Sequence, residues 1–188
     1  MSRISAFTLI ELLAGILIIT TLLSLALTTL PGWVQQRQLR ADVHQFISLI
    51  AVARHTAILQ GTTVIMCPAL PFSQRCAGRN EWHNGTVVFT DGNHNLRIDE
   101  ADQVLARHHG LRRVKVIWRA FRNRSYLKFT ATGMTDWQNG HFLFCPRDNN
   151  PRHAKQIILN YAGRTYVSSD RNGDGIDEDS RRQPLTCA

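Results

Sequence analysis

Acidic residues are scarce in this 188-residue chain: 14 Asp and Glu stand against 22 Lys and Arg, a formal charge of +8. That balance favours an anionic partner, although a basic surface alone does not name one. Catalytic signatures are missing as well. There is no G-x-S-x-G and no H-E-x-x-H, which excludes a nucleophile elbow and a metalloprotease helix. The eight histidines show no ligand spacing, and the adjoining His108 and His109 point apart if they lie in a strand. The four cysteines contain no C-x-x-C pair, which argues against zinc. No internal repeat and no low-complexity linker is present. The residues point away from an enzyme and toward a structural or binding protein.

What the chain does have is an apolar run from Phe7 to Leu30, broken by the single carboxylate of Glu11. Twenty-four residues at about 1.5 Å rise cover roughly 36 Å, enough for a hydrocarbon core of about 30 Å. Fourteen of them are Leu, Ile or Phe, and their summed insertion energy outweighs one acid near an end. A secretory signal peptide would be shorter and followed by a small-residue cleavage site, which TTLPGWVQQRQ lacks. The run therefore reads as a transmembrane helix, entered from the side of Arg3. Arg37 and Arg40 beyond its far end run against the positive-inside rule.

About 155 residues remain outside the membrane, enough for one domain with its own core. Pro31-Gly32 is expected to bend or interrupt the helix. Beyond it an amphipathic stretch places Val43, Phe46, Ile47, Ile50, Ala57 and Ile58 near one face, and Gly61 supplies a C-cap. From Thr62 the pattern turns to short strands: TTVIMC, GTVVF, VKVIWRAF, SYLKFTAT, HFLFC, KQIILN and RTYVSS. Cys67, Cys76, Cys145 and Cys187 fit an oxidising compartment such as a periplasm. Of three possible pairings we favour Cys67–Cys76, closing a short loop, and Cys145–Cys187, tying the C-terminus to a strand.

SAFTLIELL resembles the type III signal of type IV pilins and type II secretion pseudopilins. The resemblance implies a leader over 1–6 and cleavage between Ala6 and Phe7 by a prepilin peptidase. Phe7 would become the N-methylated terminus, and Glu11 would meet a positive amine during assembly. Ala6 departs from the family, which nearly always has Gly there. Further motifs, W82-x-x-G85-x-x-x-F89-x-D91-x-N93, LKFTATG, HFLFCP, IILNYAGR and the late Cys187, resemble the GspH/FimT branch. That branch implies an α+β pilin fold: a long N-terminal helix packed on a β-rich head of two sheets. The expected organisation is leader 1–6, transmembrane and assembly helix 7–30, amphipathic half 31–61 and head 62–188. It implies a minor pilin or pseudopilin in the inner membrane, N-terminus inside and head in the periplasm. Other major and minor pilins would be its partners in a type IV pilus, supporting twitching motility, or in a type II secretion pseudopilus.

Two features bear on ligands. Val104–Thr135 holds no acid, and within it Arg107, Arg112, Arg113, Lys115, Arg119, Arg122, Arg124 and Lys128 interleave with Trp118, Phe121 and Tyr126. Clustered cations with aromatics can grip phosphates and stack on bases, so DNA is a candidate partner. A solvated basic outer sheet face, or a contact with acidic neighbouring pilins, accounts for the block without nucleic acid. FimT-type minor pilins resemble DNA binders through a C-terminal G-R-x-R motif. Here Arg164 matches its first arginine and Tyr166 replaces the second, with Arg171 nearby. DRNGDGIDED places Asp170, Asn172 and Asp174 like the front of a calcium loop, with Arg181 where the twelfth-position acid belongs. DGNHNLRIDEAD offers Asp91, Asn93, Asn95, Asp99 and Asp102, with Leu96 in place of glycine. Asx-rich turns explain both loops without a metal.

Overall fold

The computed structural model describes residues 8–70, 73–111 and 113–187, and of residues 25–32 the backbone alone. A single helix, α1 (Leu9–Gln60), opens the chain. It is assigned without a break through Pro31-Gly32, so the expected interruption does not occur. One proline removes one ladder bond, and the turns on either side carry the helix. Two compact units divide the chain, one up to Gln38 and one from Leu39 onward. The head therefore takes in the second part of α1 instead of starting at residue 62.

In the first unit the apolar side chains stand exposed, from Leu9 at 77% to Leu23 at 57%. Among the described residues no helix is long and apolar enough to cross a membrane. Phe7 and the side chains of 25–32, which complete the expected 7–30 span, lie outside the described residues.

The second unit is built from two antiparallel sheets of four strands. The first has the order β3-β2-β1-β5, from β1 (Val64–Pro68), β2 (Gly85–Thr90), β3 (Val104–His109) and β5 (Leu127–Phe129). The second has the order β4-β6-β7-β8, from β4 (Val114–Ala120), β6 (Gly140–Pro146), β7 (Lys155–Leu159) and β8 (Thr165–Val167). Seven of these match the expected strand segments. β5 shrinks to three residues because Thr130 and Gly133 close a turn, Gly133 N donating to Thr130 O at 2.8 Å. β3 was not expected: VLARHH has no clean alternation, and it forms because β2 supplies a pairing edge.

The helix face from Leu39 is the centre of the core. Leu39, Val43, Phe46, Leu49, Ile50, Ala53 and Ala57 are buried with Val64, Met66, Val88, Val116, Trp118, Phe142 and Phe144. Phe46 meets Phe144 edge-on at 5.1 Å, and Trp118 stacks on Phe142 at 4.2 Å. Ile58, placed on the buried face from its spacing, is exposed at 44% in the last helical turn. That turn ends as expected: Gly61 adopts φ +60° and Thr62 N donates back to Ala57 O at 3.2 Å.

Apolar residues on the outer face of each sheet form a smaller cluster that includes a disulfide. On the first sheet Ile65, Cys67, Val87 and Phe89 lie under Ala69, Leu96, Ile98 and Cys76. On the second sheet Ile117, Leu143 and Cys145 lie under Leu185 and Cys187. The bonds are Cys67–Cys76 and Cys145–Cys187, as the sequence reading favoured.

Candidate functional site

The start of the helix carries the first candidate site. Thr8 precedes the first helical residue, and its hydroxyl accepts from Glu11 N at 3.3 Å. In return Glu11 Oε2 accepts from Thr8 N at 3.0 Å and from Thr8 Oγ1 at 2.9 Å. This is a capping box, in which both partners satisfy orphan donors of the first turn. Glu11 thus has a local structural role that spacing alone makes visible, T-x-x-E, besides any role in assembly. Ala6 and Phe7 lie outside the described residues.

The basic block does not form one surface. Arg112 lies outside the described residues. Arg107 sits on β3 in the first sheet, whereas Arg113, Lys115 and Arg119 project from the β4 side of the second. Lys115 and Arg119 alternate with buried Val114, Val116 and Trp118, as strand geometry requires. Arg122 stands 5.9 Å over the exposed ring of Phe121, and Arg124 donates to the Tyr126 hydroxyl. Lys128 pairs with Asp136 at 3.5 Å. Trp118 and Tyr126, counted as bases' stacking partners, are buried in the two cores and present no ring face to solvent.

A different grouping emerges in space. An open cleft of about 760 Å³ is lined by Lys115, Ile117 and Arg119 of β4 together with Arg79 and His83, more than thirty residues earlier. Arg79 belongs to the 3-10 turn Arg79–Glu81 beside β4. Glu81 also lines the cleft, and its carboxylate accepts from Asn84. Nothing in the sequence joins these two segments; β4 and the turn meet only through the fold.

Arg164 follows the tight turn between β7 and β8. Gly163 holds φ +74°, and a Cβ there would lie 2.5 Å from Gly133 O and 2.9 Å from Arg54 Nε. Arg54 Nε itself donates from α1 to Gly133 O at 3.1 Å, tying the helix to that turn. Arg54, Arg164 and Tyr166 line a shallow cleft of about 370 Å³, and Tyr166 is exposed. Next to it Trp137 and Tyr161, both exposed, pair at 4.9 Å. Neither aromatic stood out from the sequence.

The two Asx-rich loops are internally bonded. Asp170 accepts from Gly173 N at 2.7 Å and Gly175 N at 2.8 Å, and these bonds hold its carboxyl below the usual range. Asn172 and Asp174 bond each other, and Asp174 accepts from Ile176 N at 2.8 Å. In the other loop Asp91 accepts from Asn95 N and Leu96 N, and Leu96 takes φ +59° in glycine's place. Asn93 and Asn95 both donate to Asp99, lowering its pKa, whereas burial raises that of Asp102. Among the described residues no three His, Cys, Asp or Glu are placed to hold a metal ion.

The family profile of Type II transport protein GspH matches residues 42–163, well over half of the chain. The chain belongs to the GspH family. The GspH-family head also resembles solved structures. The type IV minor pilin FimU of Pseudomonas aeruginosa superimposes with a TM-score of 0.57 at 17% identity, covering 83% of this chain and 99% of that one. The minor pseudopilin EpsH from the type 2 secretion system of Vibrio cholerae gives 0.51 at 8% identity, covering 69% and 95%. At these identities the likeness concerns the fold: an α+β pilin-like arrangement of a helix on two antiparallel sheets. No curated protein sequence matches the chain.

Proposed function

We propose that this GspH-family chain is a minor pilin, cut by a prepilin peptidase between Ala6 and Phe7 and built into a type IV pilus, near its tip. There it supports pilus assembly and twitching motility. The observation that carries the reading is the pairing of a GspH-family head with an exposed apolar helix whose first turn holds a lone carboxylate. A solvent-exposed apolar run needs a partner, and lipid followed by neighbouring pilin helices supplies one at each stage. In that setting the inner membrane holds segment 7–30 until assembly, with the head in the periplasm.

The capping box offers a rival explanation of Glu11, and one pair of variants separates the two. Glu11→Gln keeps an acceptor at the third helical position, where Gln also caps, but removes the charge. If the charge attracts the amine of a neighbouring subunit, Glu11→Gln and Glu11→Ala both leave the sheared filament fraction while remaining in the membrane. Normal incorporation of Glu11→Gln would show that Glu11 only caps the helix.

A second reading, a pseudopilin of type II secretion, is supported by the family description and the likeness to EpsH. Loss of exoprotein secretion with intact piliation in a deletion strain favours it. A third, DNA capture for transformation, is supported by Arg164 and Arg54 in one open cleft beside exposed aromatics. A gel shift with the full-length protein in micelles tests it. Three or four phosphate contacts give a log–log salt slope of roughly −3, and Arg164→Ala weakens binding; no shift at low salt removes the idea.

A further inference from the structure

Two cations just beyond the apolar run lack an acidic partner. Arg37 and Arg40 stand three residues apart, a spacing at which like charges repel on a helix. No acid lies three or four residues from either, and the sequence holds none between Glu11 and Asp42. Among the described residues neither arginine forms an ion pair; the three bridges use Lys128, Lys155 and Arg181. Both also stand on the side of the run where the positive-inside rule disfavours cations. An anion from outside the chain accounts for their presence there.

The side chain of Arg37 is already turned toward the run. Its Cζ lies 4.6 Å above the ring of Trp33, one turn nearer the N-terminus, and Trp33 is 56% exposed. Helical side chains lean that way by construction. Stacking uses the flat face of the guanidinium and leaves the N–H groups around its edge, the fork that grips a phosphate bidentately. The depth fits as well. A hydrocarbon core of about 30 Å entered at Leu9 takes roughly twenty helical residues and ends near Thr29. Trp33 then stands about 6 Å beyond it, in a headgroup layer of roughly 5–7 Å where indoles concentrate.

From this we infer that the Trp33–Arg37 pair, with Arg40 beside it in the sequence, binds the phosphates of anionic phospholipids in the periplasmic leaflet. The inference rests on the reading of 7–30 as the membrane-held segment and adds a headgroup site at its end. An acidic patch on a neighbouring pilin is the rival occupant. Trp33 favours lipid, because an exposed indole stacked under a cation suits the boundary between hydrocarbon and water. The apolar side chains exposed from Leu9 to Leu23 already require lipid on the same helix.

The tryptophans make the contact readable, because three of the four belong to the head: Trp82 and Trp118 buried, Trp137 exposed. Full-length protein is placed in bilayer nanodiscs of phosphatidylethanolamine with phosphatidylglycerol as the minor lipid. In one preparation the phosphatidylglycerol carries brominated acyl chains; in the other an equal amount of phosphatidylethanolamine does. Bromine quenches tryptophans close to it, and the Trp33→Phe variant supplies the signal of the other three. We expect both lipids to quench Trp33, brominated phosphatidylglycerol about threefold more strongly, as attraction of an arginine pair at a charged bilayer surface implies. The double variant Arg37→Gln, Arg40→Gln keeps the quenching and loses the excess, and 1 M salt, where the screening length is about 3 Å, reduces it. Equal quenching by the two lipids overturns the headgroup site and leaves the membrane segment standing. If the double variant then also disappears from sheared filaments, the arginines belong to a contact with a neighbouring pilin. An excess that survives in the double variant comes from charge elsewhere in the chain and overturns the site as well. No quenching of Trp33 by either lipid refutes the membrane reading itself, and the site with it.

Discussion

Helix α1 carries two apolar populations that meet opposite fates. From Leu9 to Leu23 its Leu and Ile side chains are exposed; from Leu39 to Ala57 its apolar face is buried, Phe46 completely. The second population finds its partner within the chain, in the strands of both sheets. The first has none among the described residues, and a stretch of that size is tolerated only if something else covers it. The difference separates what stabilises the head from what the protein offers to other molecules.

The largest expected effect breaks the comparison at Phe46. Phe46→Ala opens a cavity among Phe142, Phe144 and Trp82 and is expected to cost the head roughly 3–5 kcal/mol. Leu17→Ala, in the exposed population, leaves the head's denaturation midpoint unchanged. Chemical denaturation of both full-length variants in micelles, followed by tryptophan fluorescence, makes the check. Equal losses would mean that the two populations are not energetically distinct.

Next come the disulfides, one in each of the small apolar clusters on the two outer sheet faces. Cys187→Ser frees a 42-residue connection and is expected to cost about 4 kcal/mol; Cys76→Ser frees one of 9 residues and costs about 3. Loss of either also loosens the apolar cluster around Leu143 or Ile65. Denaturant midpoints of the two variants, in that rank order, check the estimate.

The smallest effect is electrostatic and confined to the head. Burial lowers the pKa of His141 on β6, with a further push from Arg119, and burial likewise lowers that of His108 on β3. Between those lowered values and the ordinary value near 6.5, the unfolded chain binds more protons than the folded one. Stability therefore falls as pH drops below about 6.5. His141→Asn flattens that slope, which a pH series of denaturation midpoints reads directly.

Much of this architecture was legible because local and global signals agree. VKVIWRAF marked strand β4, the spacing of Val43, Phe46 and Ile50 found the core face, and Gly61 marked the helix end. β3 was not legible, since an edge strand with one face half-exposed needs few apolar residues. Ile58 was misplaced because a helix face at its final turn can overhang the core. The candidate sites were less legible than the fold. Arg79 and His83 join Lys115 only through the contact of a turn with β4, and burial withdrew Trp118 and Tyr126 from any binding surface. The capping bond of Thr8 with Glu11 has a local signature, T-x-x-E, although it lies inside an apolar run where a carboxylate also suits an intermolecular role.

The most direct measurement is intact-mass and N-terminal analysis of the chain recovered from sheared surface filaments. The account predicts a mature chain beginning with N-methylated Phe7, and a longer precursor confined to the membrane when the peptidase is deleted. A chain absent from the filaments of a piliated strain, or present there still beginning at Met1, would contradict it.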